Sequence, residues 1–164
     1  MTDTGRATVI HGDALTTLRG MADASAHAIV TDPPYELGYT GSADLGWDST
    51  GIAFSVELWT EALRVLRPGG NLAAFGATRT VHRLACAIED AGFELRDQIT
   101  VWMYGQGMAK GLHVDRMTAK HDAAAAAAAR GWHTNLRPAY EPIVLARRPL
   151  DGSLGENRAR WGTG

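Results

Sequence analysis

The stretch "AHAIVTDPPY" (residues 26–35) decides the fold, because an apolar run of strand length ends abruptly in Asp-Pro-Pro-Tyr. A short apolar run bounded by turn residues is typical of a strand that is buried on both faces of a sheet. In open α/β sheets, ligands bind at the carboxyl ends of the strands. The sequence therefore predicts a buried strand over 26–32 whose end carries a binding or catalytic site.

Segments with strand and helix character alternate on both sides of this run. We expect strands at 7–14 and 71–77, an extended segment at 93–105, and helices at 15–22, 52–66 and 79–92, the "RPGG" at 67–70 lying just past the end of the second helix. This alternation favours an α/β fold with a doubly wound, mostly parallel sheet and helices on both faces. The stretch 35–51 is rich in Gly, Ser and Asp and is predicted to be a long functional loop.

The alternation stops after residue 105. Seven alanines at 123–129 predict a helix near 115–130, since alanine is the best helix former, and a strand follows at 139–149. The last residues have the composition of a loosely held tail. We therefore divide the chain into a strand–helix part (1–105), an insertion (106–135), a returning sheet strand (136–150) and a tail (151–164).

Composition limits the classes of protein to which this chain can belong. Its 164 residues suggest one domain, and 45% hydrophobic with 21% charged residues is typical of a globular protein. No apolar run approaches the roughly 20 residues of a membrane helix, and no signal-peptide pattern occurs at the N-terminus. The single cysteine, Cys86, excludes an internal disulfide and fits the reducing cytoplasm. Six scattered histidines show no ligand spacing, so we expect no metal site.

Charge is distributed unevenly although the net charge is only −2. Residues 1–105 carry seven Lys and Arg against thirteen Asp and Glu, whereas residues 106–148 carry seven against three. A basic segment of this kind suits a surface that faces phosphates. An ordinary solvated face is the alternative interpretation.

Each residue of Asp32-Pro33-Pro34-Tyr35 has a physical use at a strand end. Asp32 is an acceptor, the prolines present carbonyls without competing N–H groups and stiffen the turn, and Tyr35 offers a flat face for stacking. The set suits a planar molecule bearing an amino group, whose two hydrogens would be accepted by the Asp32 carboxylate and the Pro33 carbonyl. The alternative is a Pro-Pro turn with a capping aspartate.

The stretches "HGDALTTLRGMADASAHAIVTDPPY" and "WTEALRVLRPGGNLAAFG" resemble the amino-group DNA methyltransferases. The later pieces "GWHTNLRPAYEPIVLARRPL" and "ENRARWGTG" are similar to phage and prophage members of that family, some of which serve restriction–modification. The resemblance implies methyl transfer from S-adenosylmethionine to an exocyclic nitrogen of a flipped DNA base. It implies that Asp32, Pro33 and Tyr35 hold that base while Pro34 shapes the turn. Aspartate at the first position favours adenine N6 over cytosine N4.

The resemblance also implies roles for residues outside this motif. Asp13, in "GDA", would contact the adenine ring of the cofactor, with a Gly-Asp turn as the alternative. Trp47 and Asp48 would form the "WD" pair beside the target base, with a loop tryptophan that covers the core as the alternative.

One expected part of the family pattern does not occur in this sequence. The Phe-x-Gly-x-Gly loop that holds the cofactor, and the acidic residue that ends the next strand, are both missing. In the permuted members that the chain most resembles, the cofactor half follows the insertion. We therefore expect an incomplete Rossmann-like methyltransferase sheet, with the absent strands at its centre. The expected partners are DNA and a second chain or homodimer partner that completes the sheet.

Two other interpretations stay open at this level. The chain could be a fragment that binds DNA through 106–148 without catalysis, in agreement with the missing cofactor glycines. It could also be an N-methyltransferase that acts on RNA or protein, because related Pro-Pro-Tyr sites serve those substrates. The sequence names no recognised DNA site.

Overall fold

The computed structural model of the chain describes residues 7–38, 46–97, 100–107, 111–134 and 138–164. It divides into two compact units, one formed by 1–100 with 142–164 and the other by 101–141. The finer boundaries predicted at 105, 135 and 150 stay predictions. Residues 39–45 of the predicted 35–51 loop lie outside the described residues.

Helices and strands alternate through the first unit, and short elements form the second. Along the chain they are α1 (Ala14–Arg19), β1 (Ala26–Thr31), α2 (Val56–Val65), β2 (Leu66–Phe75), α3 (Val81–Asp90), β3 (Glu94–Leu95), β4 (Val101–Met103), α4 (Val114–Thr118), α5 (Ala123–Ala128), β5 (Tyr140–Arg147) and α6 (Leu154–Trp161). Two short 3-10 helices, Trp47–Ser49 and Ile52–Phe54, precede α2.

The strands form one mixed sheet in the order β1-β2-β5-β3, and β4 also pairs with β5. β1 and β2 are parallel, with α2 as the crossover between them. β5 runs antiparallel to both β2 and β3. A parallel neighbour needs a crossover connection, whereas β5 returns from the second unit and enters the sheet in the opposite direction. The expected mostly parallel order is therefore corrected to a mixed sheet within the α/β class.

The core of the first unit lies between the sheet and the apolar faces of α2 and α3. Ser55 begins α2 as its N-cap, accepting a hydrogen bond from the Leu58 amide at 3.4 Å. Trp59 is 2% exposed, and its indole N–H donates to the Ala53 carbonyl at 2.9 Å. The principal buried partners are Leu58, Ala62, Leu66, Leu72, Leu84, Ile88, Phe93, Val144 and Ala146. This packing holds the parallel pair of strands, and therefore their ends, in place.

The "RPGG" stretch at 67–70 lies inside β2 rather than in a turn after α2. The pairing with β1 is irregular here, because Ala26 faces Leu66 whereas Ala28 faces Asn71. A Cβ on Gly70 would lie 2.8 Å from the Arg67 carbonyl oxygen and 2.9 Å from that of His27. Only glycine fits this close approach of two backbones, so the stretch forms a bulged strand entry.

Residues 7–13 form no strand, contrary to the strand predicted at 7–14. Val9 and Ile10 are 93% and 65% exposed. A strand needs a neighbour that satisfies its backbone N–H and C=O groups, and no strand of the described sheet pairs with this segment. The prediction of a first strand is therefore wrong for this structure.

β1 is an edge strand in the described sheet, and its predicted burial on both faces is wrong. It pairs with β2 on one side only. Val30, whose side chain was expected to be buried, is 74% exposed. β1 therefore has an apolar sequence but leaves apolar surface, such as the Val30 side chain, uncovered in this sheet.

The second unit contains two short helices, α4 and α5, where one helix was predicted near 115–130. Asp122 interrupts the helical run, because its carboxylate accepts from the amides of Ala124 and Ala125 and so begins a new helix. His113 and His133 form an isolated β-bridge, with ring centroids 4.3 Å apart. The insertion is therefore built from short local elements.

The segment 151–164 is an anchored helix rather than the expected loose tail. Ser153 and Glu156 form a capping box at the start of α6. Asn157 is fully buried, and its amide nitrogen donates to the carbonyls of Pro68 at 3.0 Å and Thr163 at 2.8 Å. These bonds attach α6 to the bulged start of β2.

Candidate active site

The Asp32–Tyr35 motif follows directly on β1, at the carboxyl edge of the parallel pair. Thr31, the last residue of β1, lies opposite Ala74, and β2 ends one residue later. Both parallel strands therefore end at the same edge, where α/β folds bind their ligands. Asp32 is exposed, whereas Pro33, Pro34 and Tyr35 are half-buried. The carboxylate is accessible while the rest of the turn is anchored.

The backbone of Tyr35 is held by the helix that follows β2. The Thr80 hydroxyl donates to the Tyr35 carbonyl at 2.8 Å. Thr80 stands at the N-cap position of α3, where a hydroxyl ordinarily accepts from the helix, yet here it makes no cap bond. Its side chain instead fixes the end of the Pro-Pro-Tyr turn.

Glu36 continues the turn in an unusual backbone conformation. Its φ is +55°, in the left-handed region that residues with a Cβ avoid. One carboxylate oxygen accepts from the Gly51 amide at 2.9 Å, and the other accepts from the Thr50 hydroxyl at 3.3 Å and the Ala53 amide at 3.4 Å. The turn is thereby attached to the segment that leads into α2.

The predicted "WD" pair lies on the 3-10 helix Trp47–Ser49, and its two members have different environments. Asp48 is 2% exposed, and its carboxylate accepts from the Leu37 amide at 3.1 Å. Its carbonyl accepts from the Gly38 amide at 3.1 Å. Trp47 is 50% exposed. The fold therefore brings Asp48 to the residues just after Tyr35, where it braces the loop, and leaves the Trp47 ring partly accessible.

Asp13 lies at the N-terminus of α1, and its carboxylate caps that helix. Oδ1 accepts from the Thr16 amide at 2.8 Å. This backbone hydrogen bond is the main reason why the pKa of Asp13 lies below its usual value. The cap agrees with the Gly-Asp turn interpretation of this residue. Asp13 is exposed, so contact with a ligand stays a prediction.

A surface cavity of about 430 Å³ lies elsewhere in the first unit, lined in part by Leu63, Pro68 and Trp161. The predicted site residues that the structure describes do not line it. Arg148 also lines this cavity. Its guanidinium donates to the carbonyls of Leu63 and Arg64 at the end of α2, both at 3.1 Å. Arg148 therefore has a structural role, and this cavity is not the candidate site. The candidate site is the sheet edge that carries Asp32.

Metal-ligand clusters and membrane spans do not occur within the described ranges. No group of three or more His, Cys, Asp or Glu side chains there is arranged to hold a metal ion. No helix in the same part of the chain has the length and apolar character needed to cross a membrane.

Glu36 and Thr80 are the site residues that sequence reasoning missed. Glu36 follows the motif directly, but nothing in a single glutamate indicates a left-handed backbone. Thr80 lies 45 residues from Tyr35 in the chain, so only the fold joins them. A threonine just before a helical run predicts an N-cap. In the structure, the Thr80 hydroxyl donates to the Tyr35 carbonyl instead.

Comparison with known families identifies the class of protein. Residues 26–151, more than half of the chain, match the family model described as DNA methylase and named for N6 and N4 methyltransferases. The chain therefore belongs to the DNA methylase family, which confirms the resemblance to amino-group DNA methyltransferases.

Two curated relatives agree with this assignment. The chain is 32% identical over 106 residues to the type II methyltransferase M.HpaI of Haemophilus parainfluenzae, covering 62% of this chain and 33% of the relative. It is 25% identical over 179 residues to the type II methyltransferase M.HindIII of Haemophilus influenzae, covering 86% and 58%. The chain thus spans a third of one relative and somewhat over half of the other.

A solved structure supports the fold class. TTHA0409 of Thermus thermophilus aligns with a TM-score of 0.50 and 22% identity. The alignment covers 90% of this chain and 56% of that chain. The same protein complexed with S-adenosyl-L-methionine aligns with a TM-score of 0.50 and 21% identity. The α/β class with an incomplete Rossmann-like sheet is confirmed.

Proposed function

We propose that this chain carries the base-binding and catalytic part of a DNA methyltransferase that transfers the methyl group of S-adenosylmethionine to adenine N6. The observation that carries the proposal is the position of Asp32-Pro33-Pro34-Tyr35. The motif follows β1 at the carboxyl edge of a parallel strand pair, with the Asp32 carboxylate exposed. It also lies within the 26–151 region that matches the DNA methylase family.

Tyr35 and the two prolines would receive the target base. A base must leave the duplex before its amino group can be reached, which costs roughly a few kcal/mol. Stacking on an aromatic side chain returns about 1–3 kcal/mol per base. The Tyr35 ring would supply that stacking face. Because Thr80 holds the Tyr35 carbonyl, little ordering of this turn would be needed when the base arrives.

Asp32 and the Pro33 carbonyl would act on the amino group itself. The nitrogen of a nucleobase amino group is a poor nucleophile, because its lone pair is delocalised into the ring. Two acceptors on its hydrogens favour a pyramidal nitrogen with an available lone pair. S-adenosylmethionine, when bound, would supply an electrophilic methyl group to that lone pair, and the amino nitrogen would give up one of its protons to solvent. Asp32 would assist through charge and fixed geometry.

Aspartate at the first motif position favours adenine as the acceptor base. In the family that the chain belongs to, serine at this position goes with cytosine N4, and aspartate followed by Pro-Pro-Tyr goes most often with adenine N6. The product nucleoside, identified by mass spectrometry, distinguishes N6-methyladenine from N4-methylcytosine.

The cofactor has one candidate contact on this chain. Asp13 is exposed, and its Oδ1 is already bonded to the Thr16 amide. A carboxylate has a second oxygen, which can accept a hydrogen bond from a ligand without breaking the helix cap. Because the sequence lacks the Phe-x-Gly-x-Gly loop, we propose that other protein segments supply the main cofactor pocket.

A further segment of polypeptide or a partner chain, including a second copy, would complete the sheet beside β1. β1 has one unpaired edge in the described sheet, and Val30 on it is 74% exposed. Unpaired apolar edges are sites of strand addition. Sedimentation and thermal unfolding of the purified 164-residue chain test this proposal, because a monodisperse monomer that unfolds cooperatively would contradict it.

Transfer of labelled methyl groups to unmethylated DNA tests the proposed activity. We expect Asp32→Ala to lower the rate by orders of magnitude without loss of the fold, because it removes the charged acceptor from the amino group. Asp90→Ala is the matched control, since Asp90 is an exposed carboxylate at the end of α3. Near-normal transfer by Asp32→Ala would refute the assignment. Salt-dependent DNA binding by a folded wild-type chain that transfers nothing would favour the DNA-binding fragment.

A further inference from the structure

We propose that Glu36 is a positioning residue that holds the Asp32–Tyr35 turn in its working geometry. This inference rests on the methyl-transfer function proposed above. Glu36 lies directly after the motif and belongs to no motif position. Its importance follows from its backbone conformation and from the segment to which its carboxylate is bonded.

The backbone of Glu36 is held in a costly conformation. Among the described residues, only Ala24 and Glu36 have positive φ without being glycine, and Glu36 has φ +55°. Such a conformation persists only where the surroundings over-determine it, and such residues cluster at functional sites. Here it turns the chain immediately after Tyr35, so it sets the direction in which the motif leaves β1.

The carboxylate of Glu36 supplies the restraint. It accepts hydrogen bonds from two amides and one hydroxyl of residues 50–53, at 2.9, 3.4 and 3.3 Å. Those residues lead into α2, which packs in the core. A single side chain thus connects the exposed motif to a rigid part of the fold.

Two neighbouring contacts act on the same few residues. Thr80 donates to the Tyr35 carbonyl, and Asp48 accepts from the Leu37 amide. Tyr35 is therefore bonded to Thr80, whereas Glu36 and Leu37 are bonded to the adjoining residues 48–53. Glu36 is the middle member of this set and the one whose backbone is strained.

The position of these bonds indicates a local role rather than a contribution to global stability. The bonds from Thr50 and Gly51 are exposed, the longer bond from the Ala53 amide is part-buried, and exposed charged contacts contribute little to the stability of a fold. Their loss should leave the core intact and loosen the turn. Small misplacements of reacting groups have large effects on rate, up to about a hundredfold for a shift of roughly 1 Å.

Glu36→Gly is the decisive variant, because glycine adopts positive φ without strain and yet removes the carboxylate. Glu36→Gln keeps the side-chain length and one acceptor oxygen, and serves as the conservative comparison. Glu57→Gln, at an exposed glutamate on α2, is the matched control. Each variant of the full chain is labelled with 3-fluorotyrosine. The fluorine signal of Tyr35 is assigned with Tyr35→Phe, and the signal of Tyr104 in the second unit is the internal reference.

We expect Glu36→Gly to shift or broaden the Tyr35 signal and to leave the Tyr104 signal and the thermal midpoint unchanged. The same variant should lower kcat by roughly tenfold to a hundredfold, with little change in KM for DNA. The kcat of Glu36→Gln should lie between the kcat of Glu36→Gly and that of the wild type. An unmoved Tyr35 signal, or an unchanged kcat in an active enzyme, would overturn the proposal. If the wild-type chain transfers no methyl group, the proposed activity of the isolated chain fails, and the Tyr35 signal still decides the role of Glu36.

Discussion

At the scale of the residue, carboxylates that accept from backbone amides hold the candidate site together. Asp48 is 2% exposed and accepts from the Leu37 amide at 3.1 Å. Hydrogen bonds to charged groups contribute about 1.5–3 kcal/mol, and losing one partner leaves the other unsatisfied. Asp48 therefore contributes to the fold whether or not it also faces a base.

We expect Asp48→Ala to lower the free energy of unfolding by about 1–3 kcal/mol, because the Leu37 amide loses its acceptor. Asp48→Asn should cost less, since its amide oxygen can still accept. Urea denaturation followed by tryptophan fluorescence measures both changes. Asp90→Ala, at an exposed carboxylate, should stay within about 0.5 kcal/mol of the wild type. Equal losses for the alanine and asparagine variants at position 48 would contradict this account.

At the scale of the element, three short helices of this chain begin at a side-chain cap, whereas α4 has no such cap bond. Asp13 caps α1, Asp122 caps α5, and Ser153 with Glu156 caps α6. A capping side chain satisfies amides that would otherwise lack partners at a helix start. The Ala-rich stretch shows the consequence, because the cap at Asp122 begins a new helix where propensity alone predicts a continuous one.

The capping box of α6 makes part of the stability dependent on pH. The Ser153 hydroxyl and amide both donate to the Glu156 carboxylate, at 2.7 and 2.8 Å, and these bonds lower the pKa of Glu156. A carboxyl whose pKa is lower in the folded state stabilises the protein above its unfolded pKa, about 4.3 for glutamate. That contribution is lost as the pH falls through the folded pKa.

We therefore expect the stability difference between wild type and Glu156→Gln to be largest above the unfolded pKa of glutamate and to shrink as the pH falls through the lower folded pKa of Glu156. Urea denaturation at a series of pH values measures this difference. In the Ser153→Ala background, the effect of Glu156→Gln on the free energy of unfolding should depend much less on pH, because the donating hydroxyl is gone. A difference that stays constant with pH in the wild-type background would contradict the assignment.

At the scale of the whole molecule, the chain consists of two compact units with different composition. The first unit contains the core, the strands β1, β2 and β3 with most of β5, and the candidate site. The second unit, 101–141, has short helices and exposed large side chains, including Trp102 at 60% and Trp132 at 67%. Exposed cations and aromatic side chains are the groups that proteins use on nucleic acids.

We expect the exposed cations Arg116, Lys120 and Arg130 of the second unit to bind DNA phosphates. Their combined replacement by alanine should weaken DNA binding and lower the slope of log K against log salt by about 0.9 for each phosphate that is no longer neutralised. Binding measured by fluorescence anisotropy at several salt concentrations gives this slope. Replacement of Arg158 and Arg160 on α6 is the control. Unchanged slopes in the triple variant would exclude these three cations as phosphate contacts.

The pattern of apolar residues predicted α3 and β1 to within two residues of their observed bounds, and it predicted α2 with a start four residues too early. β2 begins at Leu66, five residues before the predicted strand, because Leu66 already pairs with Ala26 of β1. The strand predicted at 7–14 and the burial of β1 failed for a shared reason. Both depend on neighbouring strands, and no local pattern reports whether a neighbour is present.

The candidate site also has one part that the sequence predicts and another part that depends on the fold. The residue types and order of Asp32-Pro33-Pro34-Tyr35, at the end of an apolar run, pointed to an amino-group ligand without any structure. The roles of Glu36, Asp48 and Thr80 around that motif come from contacts over 11 to 45 residues of chain. Such contacts have no signature in local sequence.

Local sequence by itself determined the existence of α2, α3 and β1 and the residue types that the motif offers, because side-chain periodicity, proline geometry and acceptor groups act over a few residues. Only the tertiary structure decided the mixed order of the sheet, the exposed edge of β1, the anchored α6 and the left-handed Glu36. These features depend on which distant segments meet. The pairing of β5 with β2, and the bonds from residues 50–53 to Glu36, form only when the chain has closed around its core.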